Sequence, residues 1–273
     1  MGPALDSLHG IRRIAHRTPA TLAAVGVLGM IALVASAVTS VAPILGWLLG
    51  IPVLAFGLGA AYAVTDHGLF TGALSTEVGV DLVRERWLSL LGAYALLVVL
   101  WLTALVVLFA LILVLVIAGA LVSSAVDLPE IATVVPFGLL LIMFGGVYFC
   151  SAMVTQFLFP AVAINGDPAV DAVKSAIRVV RDAPASVAGF TVIRVALEYG
   201  LIVVGLAVIV AVGALDPLIT DVLAGAADPG FLVEAVDIVG VLAVLTVLLS
   251  SVAIGQALRI TYTTAFFTGE IRG

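Results

Sequence analysis

The sequence predicts an all-α integral membrane protein with six transmembrane helices in three hairpins. Of its 273 residues, 63% are hydrophobic and only 10% are charged, against about 25% in an average soluble domain. The mean hydropathy of +1.33 indicates more apolar surface than a soluble core of this size can bury. The apolar residues also occur in long runs, each close to the roughly 20 residues that a helix needs to cross a bilayer.

Six apolar runs are candidate spans: 18–39, 43–65, 88–121, 134–160, 185–213 and 236–262. The third run is too long for one perpendicular crossing, and splitting it in two is the alternative. A split would move the basic residues Lys174, Arg178 and Arg181 to the other side of the membrane. We therefore keep one long helix that tilts or protrudes.

The basic residues are distributed asymmetrically about these spans. Six crossings place four segments on one side: 1–17, 66–87, 161–184 and 263–273. These segments hold nine of the eleven Lys and Arg residues: Arg12, Arg13, Arg17, Arg84, Arg86, Lys174, Arg178, Arg181 and Arg272. The loops between them carry acids, Asp127 and Asp216 among them, and no Lys or Arg. Because cytoplasmic loops carry the excess of Lys and Arg, we predict a plasma-membrane protein with both termini cytoplasmic.

The first span also resembles a signal peptide. Basic residues precede it, and the small residues Ala35, Ser36 and Ala37 resemble a cleavage site. If the first span is retained, the six-span topology accounts for the distribution of the basic residues. We therefore expect the first span to remain in the membrane.

Each pair of spans is preceded by a similar polar segment: "ALDSLHGIRRIAHRTP", "TEVGVDLVRERW" and "DPAVDAVKSAIRVVRDAP". We predict an amphipathic helix in the cytoplasmic interface for each. The chain is then one transmembrane domain, 1–273, with possible repeats at 1–72, 73–161 and 162–273.

The third amphipathic segment has the clearest pattern. Asp167 followed by Pro168 predicts a helix start. The predicted apolar face consists of Val170, Val173, Ile177 and Val180. The corresponding face of the N-terminal segment consists of Leu5, Leu8, Ile11 and Ala15. Basic residues on the polar sides are candidates for contacts to anionic lipid headgroups: Arg12, Arg13, Arg17, Lys174, Arg178 and Arg181.

Motifs for catalysis are missing from the sequence. It contains no GxxxxGK[ST] phosphate loop, no HExxH zinc pair and no GxSxG nucleophile elbow. The histidines His9, His16 and His67 fall on segments assigned to the cytoplasm and do not predict a metal site. Cys150 is single and lies in an apolar run, so we expect a buried small side chain. We predict no enzymatic activity, no cofactor, no metal and no nucleic-acid partner.

Two ionisable residues lie inside the fifth span. Arg194 and Glu198 are four residues apart, on one face of a helix where they can pair. Arg259 in span six can reach the same carboxylate if the two spans are neighbours, and Gln156 lies at similar depth in span four. Both arginines are expected near the inner boundary, with their side chains extending toward it. Two interpretations stay open: a paired glutamate that sets helix register, and a polar site for an ion, a proton or a lipid headgroup.

The stretch from Phe157 to Asp182 resembles a known family pattern. Aromatic residues are followed by Pro160, a short aliphatic run, Gly166 and then Ala172 and Ser175 on a basic amphipathic helix. This resembles a family of six-span membrane proteins common in haloarchaea, with no assigned activity. That family is similar to the membrane domain of some bacterial glycerophosphodiester phosphodiesterases. The resemblance implies six helices with cytoplasmic elbows and supplies no catalytic residues.

The composition also indicates a source. Excess acid, a single lysine (Lys174) and heavy use of Ala, Val and Gly are typical of salt-adapted organisms with GC-rich genomes, haloarchaea first and actinobacteria second. We predict a non-enzymatic membrane protein that organises the membrane or binds lipid or a membrane-protein partner. The alternative is a small transporter or channel with a polar site near Arg194, Glu198 and Arg259.

Overall fold

A computed structural model of the chain describes residues 2–41, 43–125, 131–211 and 238–272, and all regular structure in these ranges is helical. The helices are α1 (Gly2–Arg17), α2 (Pro19–Val41), α3 (Pro43–Thr71), α4 (Thr76–Ala125), α5 (Ile131–Thr155), α6 (Leu158–Pro160), α7 (Ala169–Asp182), α8 (Pro184–Ala211) and α9 (Ile238–Arg272), with a π-helical turn at Ala161–Asn165 after α6. The acidic loops predicted around Asp127 and Asp216 lie outside the described residues.

Five described helical stretches are long and apolar enough to cross a membrane: Gly50–Thr71, Thr76–Ala118, Gly138–Asn165, Pro184–Ala211 and Ala243–Gly269. A sixth candidate is the bent pair formed by α1 and α2. The third predicted span is one helix, α4, as expected. The sequence predicts six spans in three hairpins; for the described residues, an all-helical chain with five or six helices that could span a membrane is confirmed.

The long helices form a closed sequence of neighbours. α8 packs on α9, α9 on α2, α2 on α3, α3 on α4, and α4 on α5, while smaller contacts join α5 to α8. α1 lies against α9, α8 and α2, and α7 lies against α4, α5 and α8. The two short amphipathic helices therefore attach to the same bundle that carries the candidate spans.

Each of the three predicted amphipathic segments meets its span at a break in the helix. α1 and α2 are bent by 110° around Thr18. Within α4, Arg86 leaves the helical conformation, with φ −125° and ψ 20°. Between α7 and α8, Ala183 has φ −136° and ψ 57°.

The break at Arg86 turns the first segment of α4 across α3. A Cβ on Gly79 would lie 3.2 Å from the Cβ of Ala60, and the Leu90 side chain packs directly on Gly59. Gly79 and Leu90 are eleven residues apart, which is about 16 Å of straight helix. Gly79 lies beside Val64 and Ala60, so the contacts of the two residues on α3 fall within five residues, about 7.5 Å. Between Gly79 and Leu90, α4 therefore advances less along α3 than a straight helix lying along it would.

An aromatic cluster forms the core where α8, α9 and the end of α5 meet. Phe190 stacks on Phe266 and Tyr262 with ring centroids 4.3 and 4.7 Å apart, and Phe157 stacks on Phe190 at 5.5 Å. The Tyr262 hydroxyl donates a hydrogen bond of 2.8 Å to the Ala4 carbonyl. The cluster thus ties α1 to the ends of the spans.

The predicted apolar face of α7 is divided between the protein and the outside. α7 is buried through Ala172, Ala176 and Val179, and Val173 and Val180 pack against the same core. Val170 and Ile177 are 60% and 50% exposed. The prediction that this face points toward the membrane stays a prediction.

In α1 the fully buried apolar residues are Ala4 and Ile14, and the predicted face residues Leu5 and Ala15 are exposed. Ala4 belongs to the buried core, and its carbonyl accepts the Tyr262 hydrogen bond, while Leu8 and Ile11 of the predicted face pack against the same core.

Much of α4 and α5 faces away from the protein. Val106, Phe109 and Ile142 are among the large apolar side chains left exposed. Cys150 on α5 is also exposed, so its predicted burial is wrong. All these side chains are exposed because this part of the α4–α5 pair packs little against the other described helices. Its apolar surface suits a lipid environment.

Gly166 closes the π-helical turn and cannot readily be replaced. Its φ is +79°, which non-glycine residues rarely adopt. The Arg86 guanidinium also occupies the position that a Cβ would take. Nearby, Asp167 does not cap α7 as predicted, because its carboxylate accepts a 2.7 Å hydrogen bond from the Ser175 hydroxyl and Pro168 takes the N-cap position.

We expect Gly166→Ala to lower the free energy of unfolding by about 2 kcal/mol or more, because backbone strain and a clash with Arg86 add. Thermal unfolding in detergent measures this. Gly72→Ala is the matched control, since Gly72 also has a positive φ, 71°, but open space around it. A loss for Gly166→Ala no larger than for Gly72→Ala would contradict the role of Arg86.

Candidate functional site

The carboxylate of Glu198 is the centre of a buried polar cluster. Arg194 donates to its Oε2 at 3.0 Å, one helical turn earlier on α8. From α9, Arg259 donates to Oε1 at 3.1 Å and Gln256 donates to the same oxygen at 3.3 Å. Both carboxylate oxygens are therefore occupied by donors from the protein.

The cluster extends to the end of α5. Arg194 Nη1 donates to Gln156 Oε1 at 3.1 Å, and Gln156 Nε2 donates to Thr191 Oγ1 at 2.9 Å. Thr191 in turn donates to the Val187 carbonyl at 2.8 Å. Side chains from three elements thus form one continuous hydrogen-bonded network.

The break in the helix after α5 explains how the Gln156 side chain is held in the network. The Phe157 amide bonds to the Val154 carbonyl rather than one residue further back, to Met153. The Met153 carbonyl is then available, and Gln156 Nε2 donates to it at 3.2 Å. The last carbonyls of a helix need hydrogen-bond partners from outside it. Here the Met153 carbonyl accepts from Gln156 and so fixes the position of that side chain.

Gly255 permits the close contact between α8 and α9. A Cβ at this position would lie 3.0 Å from the Glu198 carbonyl oxygen. The absence of a side chain lets the α9 backbone approach α8 next to Glu198. Gln256 and Arg259, one and four residues later, then reach the carboxylate.

Charge and burial limit what this cluster can do. Arg194 and Glu198 are 9% and 7% exposed. Arg194 and Arg259 carry two positive charges against one negative charge on Glu198, so the cluster holds an excess of one positive charge. Arg259 Nε is buried and has no hydrogen-bond partner among the described residues. A paired carboxylate that accepts three hydrogen bonds is suited to join helices. Removing one charged member of the cluster would leave a buried charge without its partner, which is strongly destabilising.

The structure brings together all four residues predicted for the intramembrane cluster: Gln156, Arg194, Glu198 and Arg259. Their function stays a prediction. Sequence reasoning missed Gln256 and Thr191, each three residues before one of the arginines and so on the same helix face. That spacing is the signal that would have found them.

Both arginines pair with Glu198, as predicted, and their position relative to the membrane boundary stays a prediction. The guanidinium groups of Arg194 and Arg259 turn inward to Glu198, and their side chains are only 11% and 17% exposed. The buried carboxylate competes with the boundary because it offers a direct ion pair at 3.0 to 3.1 Å.

The six residues predicted to contact lipid headgroups are all exposed: Arg12, Arg13, Arg17, Lys174, Arg178 and Arg181. They lie on α1 and α7, away from the Glu198 cluster. Lys174 pairs with Asp171 at 2.7 Å, and both side chains stay more than half exposed. Arg13 lines a cavity of about 330 Å³ with Asp6 and His9, between α1 and the ends of α3 and α9.

Within the described ranges, no three His, Cys, Asp or Glu residues are grouped so as to hold a metal ion. The long apolar helices and the exposed apolar surface are typical of a helical protein that spans a membrane. The chain belongs to a family described as a domain of unknown function, DUF7847, whose family model matches residues 4–269. No curated protein and no solved structure matches the chain.

We expect Glu198→Gln to lower the free energy of unfolding by about 3 kcal/mol, because it leaves two buried arginines without a counter-charge. Thermal unfolding in detergent measures the change. Adding Arg259→Gln to this variant should recover part of the loss, since one stranded charge is removed.

Glu77→Gln is the matched control, because Glu77 is an exposed acid in the first turn of α4. Its effect should stay within about 0.5 kcal/mol. A Glu198→Gln protein as stable as the wild type would contradict the structural role of the cluster.

Proposed function

We propose that this protein is a non-enzymatic membrane protein that binds anionic lipid headgroups through α1 and α7, and that this contact organises the surrounding membrane or recruits a membrane-protein partner. The proposal rests on the exposed edge of α7. The family of the chain is a domain of unknown function and supplies no activity.

The exposed edge of α7 combines apolar and basic side chains. Val170 and Ile177 project from the protein although both are branched and apolar. Lys174, Arg178 and Arg181 follow them around the helix and are exposed. An apolar edge beside basic residues is typical of helices that lie in the membrane interface, with the apolar residues among the acyl chains and the basic residues at the phosphates.

α1 supports the same arrangement. It is bent by 110° from α2, a candidate span, and so lies across the bundle rather than along it. Leu5 and Arg12 are exposed. With the charge distribution of the sequence, this favours a plasma-membrane protein whose termini and elbows face the cytoplasm.

A small transporter or channel is the alternative. The net positive charge of the Glu198 cluster and the unpartnered Nε of Arg259 favour an anion there. Against this, every oxygen of Glu198 already has a protein donor. The transporter or channel would become the preferred function if liposomes that contain the purified protein showed anion flux. That flux should be lost in Arg259→Gln with the fold intact.

We also propose that the protein is similar to haloarchaeal six-span proteins and to the membrane domain of glycerophosphodiester phosphodiesterases. A haloarchaeal protein works in high salt, where exposed charges are strongly screened. The apolar residues Val170 and Ile177 would then supply much of the attachment, and the basic residues would select the headgroup at short range.

We expect the triple variant Lys174→Gln, Arg178→Gln and Arg181→Gln to retain fewer anionic lipids. Each basic residue near an anionic surface is worth about 1 kcal/mol at moderate salt, so affinity should fall by roughly a hundredfold. Native mass spectrometry of the protein titrated with phosphatidylglycerol, and separately with phosphatidylcholine, measures this.

Asp171→Asn is the matched control on the same helix, because it releases Lys174 from its ion pair. It should keep or raise phosphatidylglycerol binding. Equal binding by the triple variant and the wild type would remove the support for α7 as the headgroup site.

A further inference from the structure

A second apolar feature is lined by no residue of α1, α7 or α8. It is a crevice of about 660 Å³ between α2, α3 and the first segment of α4. The space exists because five lining residues are small: Ala23, Ala24, Gly57, Ala60 and Gly79. Val27 and Val80 line it and are 49% and 54% exposed, so the crevice opens toward the outside of the bundle.

The crevice is long enough to hold part of a hydrocarbon chain. On α3 it is lined from Phe56 to Val64, nine residues that together rise about 12 Å. Apart from Thr76 and Arg84, its lining residues are all apolar. A chain lying along α3 would thus contact only hydrocarbon over most of its length.

The lining of the crevice carries one positive charge. Arg84 lines it from the first segment of α4. Arg84 is exposed and has no ion-pair or hydrogen-bond partner among the described residues. The neighbouring acids Asp81 and Glu85 do not line the crevice. The guanidinium of Arg84 is thus open to a ligand that enters the apolar space from outside.

We propose that this crevice is a binding site for one anionic membrane lipid, with a hydrocarbon chain between α2 and α3 and the phosphate against Arg84. The juxtaposition of a long apolar slot with a single unpartnered guanidinium matches a lipid, which joins a chain to a phosphate. A neutral apolar ligand would leave Arg84 without a partner. The site shares no residue with α1 or α7, so it goes beyond the proposed function and stands without it.

Two substitutions separate the two parts of the site. Arg84→Gln removes the charge and keeps the slot. Ala23→Phe fills the slot and keeps the charge, and the ring is accommodated because Ala23 is an exposed residue on the crevice wall. Ala110→Phe, at an exposed position of α4 outside the crevice, is the matched control for a new aromatic side chain on the lipid-facing surface.

The test is a native mass spectrometry titration with dioleoyl phosphatidylglycerol and dioleoyl phosphatidylcholine. The wild type should hold one phosphatidylglycerol more tightly than any further lipid. Arg84→Gln should lower that affinity roughly fivefold, toward the value for phosphatidylcholine. Ala23→Phe should lower the first binding step for both lipids roughly tenfold, because the ring takes the space of the chain. Ala110→Phe should bind as the wild type does.

The triple α7 variant serves as a second reference. If it loses lipids while the first, tightest phosphatidylglycerol remains, the crevice is a separate site, whatever the fate of the headgroup proposal. Wild-type binding by both Arg84→Gln and Ala23→Phe, with unfolding temperatures unchanged, would overturn the crevice proposal. A lipid-free dimer in the wild type that Ala23→Phe dissociates would also overturn it, because a second copy of the chain would then fill the crevice.

Discussion

The pairing of one buried carboxylate with two arginines connects α8, α9 and the end of α5. Helix surfaces that face lipid gain little from apolar contact with each other, because lipid is as apolar as the side chains. Directional contacts therefore decide which helices associate and in which register. Glu198 joins α8 to α9 through Arg259 and Gln256, and Arg194 continues the network to the end of α5.

Two features of the backbone make this network possible. Gly255 lets α9 approach the Glu198 carbonyl closely, which shortens the reach required of the α9 side chains. The break between α5 and α6 frees a carbonyl that fixes Gln156. The aromatic cluster lies on the same three elements, and its stacked rings pack them against one another. Polar pairing sets the register, and aromatic packing supplies the buried area beside it.

The breaks at Thr18, Arg86 and Ala183 give the protein a second kind of surface. The first break bends α1 by 110° from α2. Charged residues are costly inside a bilayer, so breaks at these positions fit the proposed placement of the polar segments outside it. The first segment of α4 contributes Arg84 to the crevice, and α7 carries Val170 and Ile177 beside its basic residues. Both proposed lipid contacts therefore depend on segments that precede a break.

The sequence by itself determined the class of protein, the approximate ends of the helices and the four-residue spacing of Arg194 and Glu198, because apolar run length and helical periodicity are local properties. Only the tertiary structure decided which faces of α1 and α7 are buried, that both arginines turn inward, and that Gln256 and Thr191 join the cluster. Those outcomes depend on which helices become neighbours. In a chain that is apolar on nearly every face, the pattern of one helix does not specify its partner. The sequence could place the charges along the chain, and packing alone could bring them together.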